Sequence, residues 1–168
     1  MFDLLCLTDR TLCREPFLDR VAAIAAARPA ALILREKDLP EDQYQALAAQ
    51  VMSLCRQAGV PCILHTFVEA ARALGARAIH LPLPVLRTLS AGERAAFPAL
   101  GASCHSVEEA REAVALGATY LTAGHVCATT CKAGLPGRGV EFLAQVCAAV
   151  PCPVYAIGGV GPENLPAL

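Results

Sequence analysis

The sequence predicts an α/β fold, a (β/α) barrel of the TIM type that lacks its eighth βα unit. Three observations predict it. Short apolar or β-branched runs recur at Leu4–Thr8, Ala31–Arg35, Pro61–His65, Ala78–Leu81, Gly101–Ser103, Tyr120–Ala123 and Val154–Ile157. Ala-rich amphipathic stretches lie between most of them, and strand alternating with helix argues for a parallel sheet with right-handed crossovers. A polar or reactive residue closes nearly every run: Thr8-Asp9, Arg35, His65, His80, Ser103 with His105, His125, and Gly158-Gly159. In a (β/α) barrel such ends converge on one face, where active sites sit.

Element by element, the local signals agree. After the second run the spacing predicts a helix over Glu41–Arg56, stopped by Gly59. Thr66 with Glu69, Ser90 with Glu93, and Ser106 with Glu109 each read as a capping box. The last of these opens a helix over Val107–Leu116, and Gly75 and Gly117 stand at further helix ends. Gly161-Pro162-Glu163 reads as one more helix start. No eighth strand follows, so residues 1–168 are read as a single barrel domain, incomplete at its C-terminal end.

Composition narrows the function. The chain has 168 residues, 55% of them hydrophobic, and a net charge of −1. That length suits one domain with a real core. The charge balance argues against nucleic acid or an anionic membrane as partner. No apolar run approaches the roughly 20 residues that span a bilayer. Met1-Phe2-Asp3 lacks a basic signal-peptide start, which predicts a cytoplasmic protein. Nine cysteines are too many for an oversight and odd in number, with no paired CxxC motifs. They are expected to act mainly as small buried hydrophobes in a reducing cytosol, not as a disulfide framework or zinc site.

The chemistry is expected at the strand ends. The segment from Gly124 to Gly139 is long for a βα connection. It supplies His125, Thr129, Thr130, Lys132, Arg138 and four glycines. Backbone amides and hydroxyls there suit a phosphate, Lys132 adds charge, and His125 is the natural proton carrier. Arg35 and Lys37 can grip an anion, or pair internally with Glu36 and Asp38. Gly158-Gly159 lets backbone N–H groups approach a phosphate, or is an ordinary turn. Ser103 and His65 are further substrate-binding candidates, each with a plain structural alternative. No GxSxG elbow or activated cysteine is present.

The motifs LREKD, GASCHSVEEA, GHVCATTCKAGLPGRG and PVYAIGGV, in this order, resemble the thiamine phosphate synthase/TenI superfamily. The resemblance spans Leu5 to Gly159 and implies a TIM barrel in the thiamine pathway. Synthases of that family bind magnesium pyrophosphate through an aspartate after the third strand and another after the fourth. Thr66 and Val85 stand at those places here. Magnesium prefers carboxylates, so the expectation is no metal and no cofactor. The Gly124-His125 pair resembles the TenI branch, whose histidine moves the proton in a thiazole tautomerase. The main expectation is therefore an isomerase aromatising a thiazole carboxylate phosphate, with His125 catalytic. Arg35, Lys37, His65, Ser103, Thr129, Lys132, Gly158 and Gly159 would bind substrate. The alternatives are thiamine phosphate synthase or a non-catalytic thiazole-phosphate-binding protein. The expected partner is a small phosphorylated thiazole, and family members are often homodimers.

Overall fold

Each of the seven apolar runs becomes a β-strand in a computed structural model, which describes residues 3–129 and 134–167. The strands are β1 (Leu5–Leu7), β2 (Ala31–Leu34), β3 (Cys62–His65), β4 (Ala78–Pro82), β5 (Ala99–Cys104), β6 (Tyr120–Gly124) and β7 (Val154–Ile157). The helices are α1 (Phe17–Ala26), α2 (Glu41–Ala58), α3 (Val68–Ala73), α4 (Leu83–Thr88), α5 (Ala91–Ala95), α6 (Val107–Ala115) and α7 (Gly139–Ala149). The class is α/β with parallel strands, of the TIM-barrel type, and among the described residues no eighth strand follows β7.

The chain divides into two compact units, Met1–His80 and Leu81–Leu168. In the first, β1, β2, β3 and β4 pair in chain order, with Leu7 opposite Ile33, Ile33 opposite Ile63, and His65 opposite His80. All four residues of β2 are buried, as a parallel strand covered on both faces requires. Helix α2 buries Tyr44, Ala48, Val51 and Cys55, spaced as one face of a helix. Glu41 and Asp42 sit in its first turn, where the helix dipole favours negative charge, and Gly59 ends it at φ 71°.

In the second unit, β5, β6 and β7 pair in chain order, with Ser103 opposite Thr122 and Gly124 opposite Ile157. Leu100, Leu121, Ala110, Ala113 and Val146 form its buried interior. Strand β6 is buried throughout, whereas β7 is only half-buried. Helix α4 is tied to α6 by Arg87, whose guanidinium donates to both oxygens of Glu112 at 2.7 Å.

Four local expectations change. Ser90 and Glu93 form the reciprocal box. At Ser106 only half of it forms: its Oγ accepts from the Glu109 N–H, while the Glu109 carboxylate accepts from the His105 N–H. Thr66 caps nothing, because α3 starts after Phe67 and the Thr66 backbone is left-handed at φ 70°. Gly161-Pro162-Glu163 opens a turn and then a short 3-10 segment, Leu165–Ala167, in place of an α-helix. The thiols are also less buried than expected: among the described cysteines only Cys55 and Cys104 are buried, and Cys147 is exposed.

Candidate active site

The best-defined polar cluster of the first unit lies just beyond β1 and β2. Parallel register brings Thr8 beside the end of β2, and the Thr8 N–H donates to the Ile33 carbonyl at 3.0 Å. The Arg35 N–H donates to Thr8 Oγ1 at 2.9 Å, and that hydroxyl donates to Glu36 Oε1 at 2.6 Å. Glu36 is only 2% exposed. The Arg10 N–H donates to both its oxygens, at 3.2 and 3.0 Å. A buried carboxylate is tolerated when its lone pairs are filled in this way. The Arg10 guanidinium meanwhile grips Asp38 in bidentate fashion at 2.8 and 2.7 Å. That bond holds Asp38 below the usual carboxylate range.

Glu36 and Asp38 therefore take their partners from the β1 end. Arg35 is half-buried and Lys37 is exposed. Both act electrostatically on His65, which ends the neighbouring strand β3. His65 is buried, and its pKa falls to about 3, first from burial and then from His80, Arg35 and Lys37. Burial alone takes His80 down to about 4. Both imidazoles are neutral at pH 7. Tyr44 of α2 fixes this end of the sheet: its hydroxyl donates to the Leu34 carbonyl and accepts from the His65 N–H, each at 2.8 Å.

The family's magnesium requires hard oxygen donors. Thr66 Oγ1 lies 2.7 Å from His65 Nδ1, so it is already engaged. Val85 on α4 offers only a carbonyl, which accepts from Thr88 Oγ1 at 2.8 Å. Among the described residues no three His, Cys, Asp or Glu side chains gather as a metal site. The donor set at these positions does not fit magnesium.

The second unit assembles a different group. His125 is 9% exposed, and its Nε2 lies 2.9 Å from the Pro136 carbonyl. A carbonyl only accepts, so Nε2 carries the proton of that bond and Nδ1 is the remaining ring nitrogen. Ser103 and Thr122 face each other across β5 and β6, with Thr122 Oγ1 donating to Ser103 Oγ at 3.3 Å. His105 Nδ1 lies 2.9 Å from the Gly124 carbonyl, which is a structural engagement.

Gly158 and Gly159 serve a packing need that the sequence did not reveal. The Val126 and Cys127 N–H groups donate to the Ile157 and Gly158 carbonyls, both at 2.9 Å. A Cβ on Gly158 would lie 2.4 Å from His125 Cβ, and one on Gly159 would lie 2.1 Å from the Ala128 carbonyl oxygen. Both glycines also have positive φ. Asn164 closes the turn, donating to the Gly159 carbonyl and accepting from the Gly161 N–H. Ser103, His125, Thr129, Gly158 and Gly159 thus belong to the second unit, and Arg35, Lys37 and His65 to the first. Lys132 lies outside the described residues. Sequence reasoning passed over Arg10; its signal was its place three residues past β1, alongside the acidic end of β2.

Comparison with known proteins adds the chemistry. Residues 4–168 match the family described as thiamine monophosphate synthase. The chain is 34% identical to the thiamine-phosphate synthase of Syntrophomonas wolfei, covering 98% of this chain and 80% of that one. It is 37% identical to the thiamine-phosphate synthase of Moorella thermoacetica, covering 89% and 72%. Its fold matches the thiamine phosphate pyrophosphorylase of Pyrococcus furiosus with a TM-score of 0.81 at 29% identity, covering 96% and 77%. These relatives are synthases, which are transferases. They overturn the expectation of an isomerase.

Proposed function

Since the chain belongs to the thiamine monophosphate synthase family, we propose that it is a transferase of the synthase type, forming thiamine phosphate from a phosphorylated thiazole with release of pyrophosphate. Thiamine phosphate is a thiazolium joined to a pyrimidine, so the second substrate is the pyrimidine half carried as its diphosphate. The observation that supports this reading best is that the segment carrying Arg35 and Lys37 is held at the β1 end, its acids Glu36 and Asp38 taken up by Thr8 and Arg10.

The chemistry asks for fixed positive charge. As the bond to the diphosphate breaks, negative charge grows on the leaving oxygen. A guanidinium held in place stabilises that charge without reorganising. Arg35 can do so through two parallel N–H bonds, and Lys37 adds a compact charge. His65, buried and neutral, adds no negative charge against them. In the second unit, the Ser103 hydroxyl, Thr129 and the backbone of Gly158 and Gly159 are the groups proposed for the thiazole phosphate. No step is assigned to magnesium, because the donors at Thr66 and Val85 do not suit it.

A second reading, thiazole-phosphate binding without turnover, is favoured by one observation. Neither Thr66 nor Val85 supplies a carboxylate. The deciding experiment mixes the chain with both substrates, with and without magnesium, and measures pyrophosphate and thiamine phosphate together. Equal amounts of the two products support the transferase. Saturable binding of the thiazole phosphate with no pyrophosphate released would sink it and leave the second reading.

A further inference from the structure

The segment Arg35-Glu36-Lys37-Asp38 alternates in charge, and left alone it would pair within itself. Its two carboxylates instead reach the end of β1: Glu36 the Thr8 hydroxyl and the Arg10 N–H, Asp38 the Arg10 guanidinium. The Arg10 Nη1 also lies 3.7 Å from Glu36 Oε2, so one arginine answers both acids. A third tether is the Arg35 N–H on Thr8 Oγ1. The backbone from 35 to 38 is therefore fixed at three places by residues 8 and 10, and the two cations alternate with the fixed acids.

We propose that Arg10, Glu36 and Asp38 are positioning residues, holding the segment after β2 so that Arg35 and Lys37 receive the diphosphate of the substrate. The proposal rests on the transferase reading above. Its logic is that of preorganisation: a binding cation within a loop is effective only when the loop is already in place. Arg10 does not touch the diphosphate itself. Its guanidinium is committed to Asp38 in fork-to-fork geometry, and a lysine could not reproduce that.

The proposal has a sign that simple electrostatics lacks. Removing a carboxylate near an anion site should tighten anion binding by Coulomb's law. Removing a carboxylate that positions the cations should weaken it.

The test is calorimetric titration of inorganic pyrophosphate, without magnesium, into the full chain and its variants, with the melting temperature of each. Arg35→Ala should weaken binding about ten- to hundredfold, as expected for a lost charged hydrogen-bonding group. Asp38→Asn should weaken it about tenfold, equivalent to about 1.4 kcal/mol, at an unchanged melting temperature. Asp38→Glu should restore most of the loss. Glu36→Gln, nearly isosteric, should weaken binding in the same direction. Unchanged or tighter binding by Asp38→Asn would overturn the positioning role while leaving the transferase reading intact. So would weakening that appears only with a matching fall in melting temperature. A wild-type chain that ignores pyrophosphate, or an Arg35→Ala variant that binds it normally, would overturn the transferase reading and this proposal together.

Discussion

His65 and His80 face each other across the β3–β4 register with their rings stacked, 5.7 Å between centroids and 16° between planes. Both are buried and both titrate far below an ordinary histidine. As pH drops from about 6.5 toward 4, the unfolded chain gains protons on these rings that the folded chain refuses. Stability is therefore full above about pH 6.5 and declines as pH falls. A drop from 6.5 to about 4 for His80 corresponds to roughly 3 kcal/mol, at about 1.4 kcal/mol per pH unit. Urea unfolding between pH 7 and 4 should show this slope, and His80→Asn should reduce it, leaving the part due to His65. A wild-type profile with no slope would contradict the burial argument.

Tyr44→Phe should be costly although no ring contact is lost. The phenol serves the Leu34 carbonyl and the His65 N–H at once. Without it both are buried and unpaired, at about 1–3 kcal/mol for such a group. The denaturant midpoint should fall with its slope unchanged. The tilted contact of Tyr44 with Phe67, at 4.4 Å between ring centroids, should persist.

Thr66 holds a left-handed backbone at φ 70°, which a β-branched residue adopts reluctantly. Asn tolerates it far better. Thr66→Asn should therefore raise the melting temperature, gaining on the order of 1 kcal/mol from relieved strain. Thr66→Val keeps the strain and loses the hydroxyl beside His65, so it should be less stable than wild type. A Thr66→Asn variant that melts below wild type would mean the hydroxyl outweighs the backbone.

Gly158→Ala should disrupt more than a turn. Its Cβ would collide with His125 Cβ, and φ is 93°. The expected result is a loss of about 1–3 kcal/mol, typical of overpacking. Amide exchange should accelerate at Val126 and Cys127, whose N–H groups bond to this turn. Protection at those amides equal to wild type would refute the packing account.

Much of the fold was legible. Strands buried on both faces read as unbroken apolar runs, and β7 at Val154–Ile157 was found to the residue. The ends were less so: β5 starts at Ala99, two residues before the predicted run, because Gly101 hides the strand behind a turn-like signal. Thr66 satisfied the capping spacing but not the backbone angle, and spacing carries no angle. The partnership of Arg10 with Glu36 and Asp38 joins residues 26 and 28 apart. Only the β1–β2 register brings them together, so no local pattern announces it. The family was visible in four motifs, while the reaction was misread. Absent carboxylates and one histidine pointed to an isomerase, against the weight of synthase relatives along the whole chain.

The Tyr44 hydroxyl has a consequence for redesign. One oxygen atom joins the end of β2, which leads into Arg35, to His65 at the end of β3. A loop grafted after either strand would inherit the geometry of the other, along with the rotational setting of α2. Changes at these two strand ends should therefore evolve in coordinated steps. Libraries that vary residues 35–38 alone would sample a narrower range than libraries that vary them together with position 44.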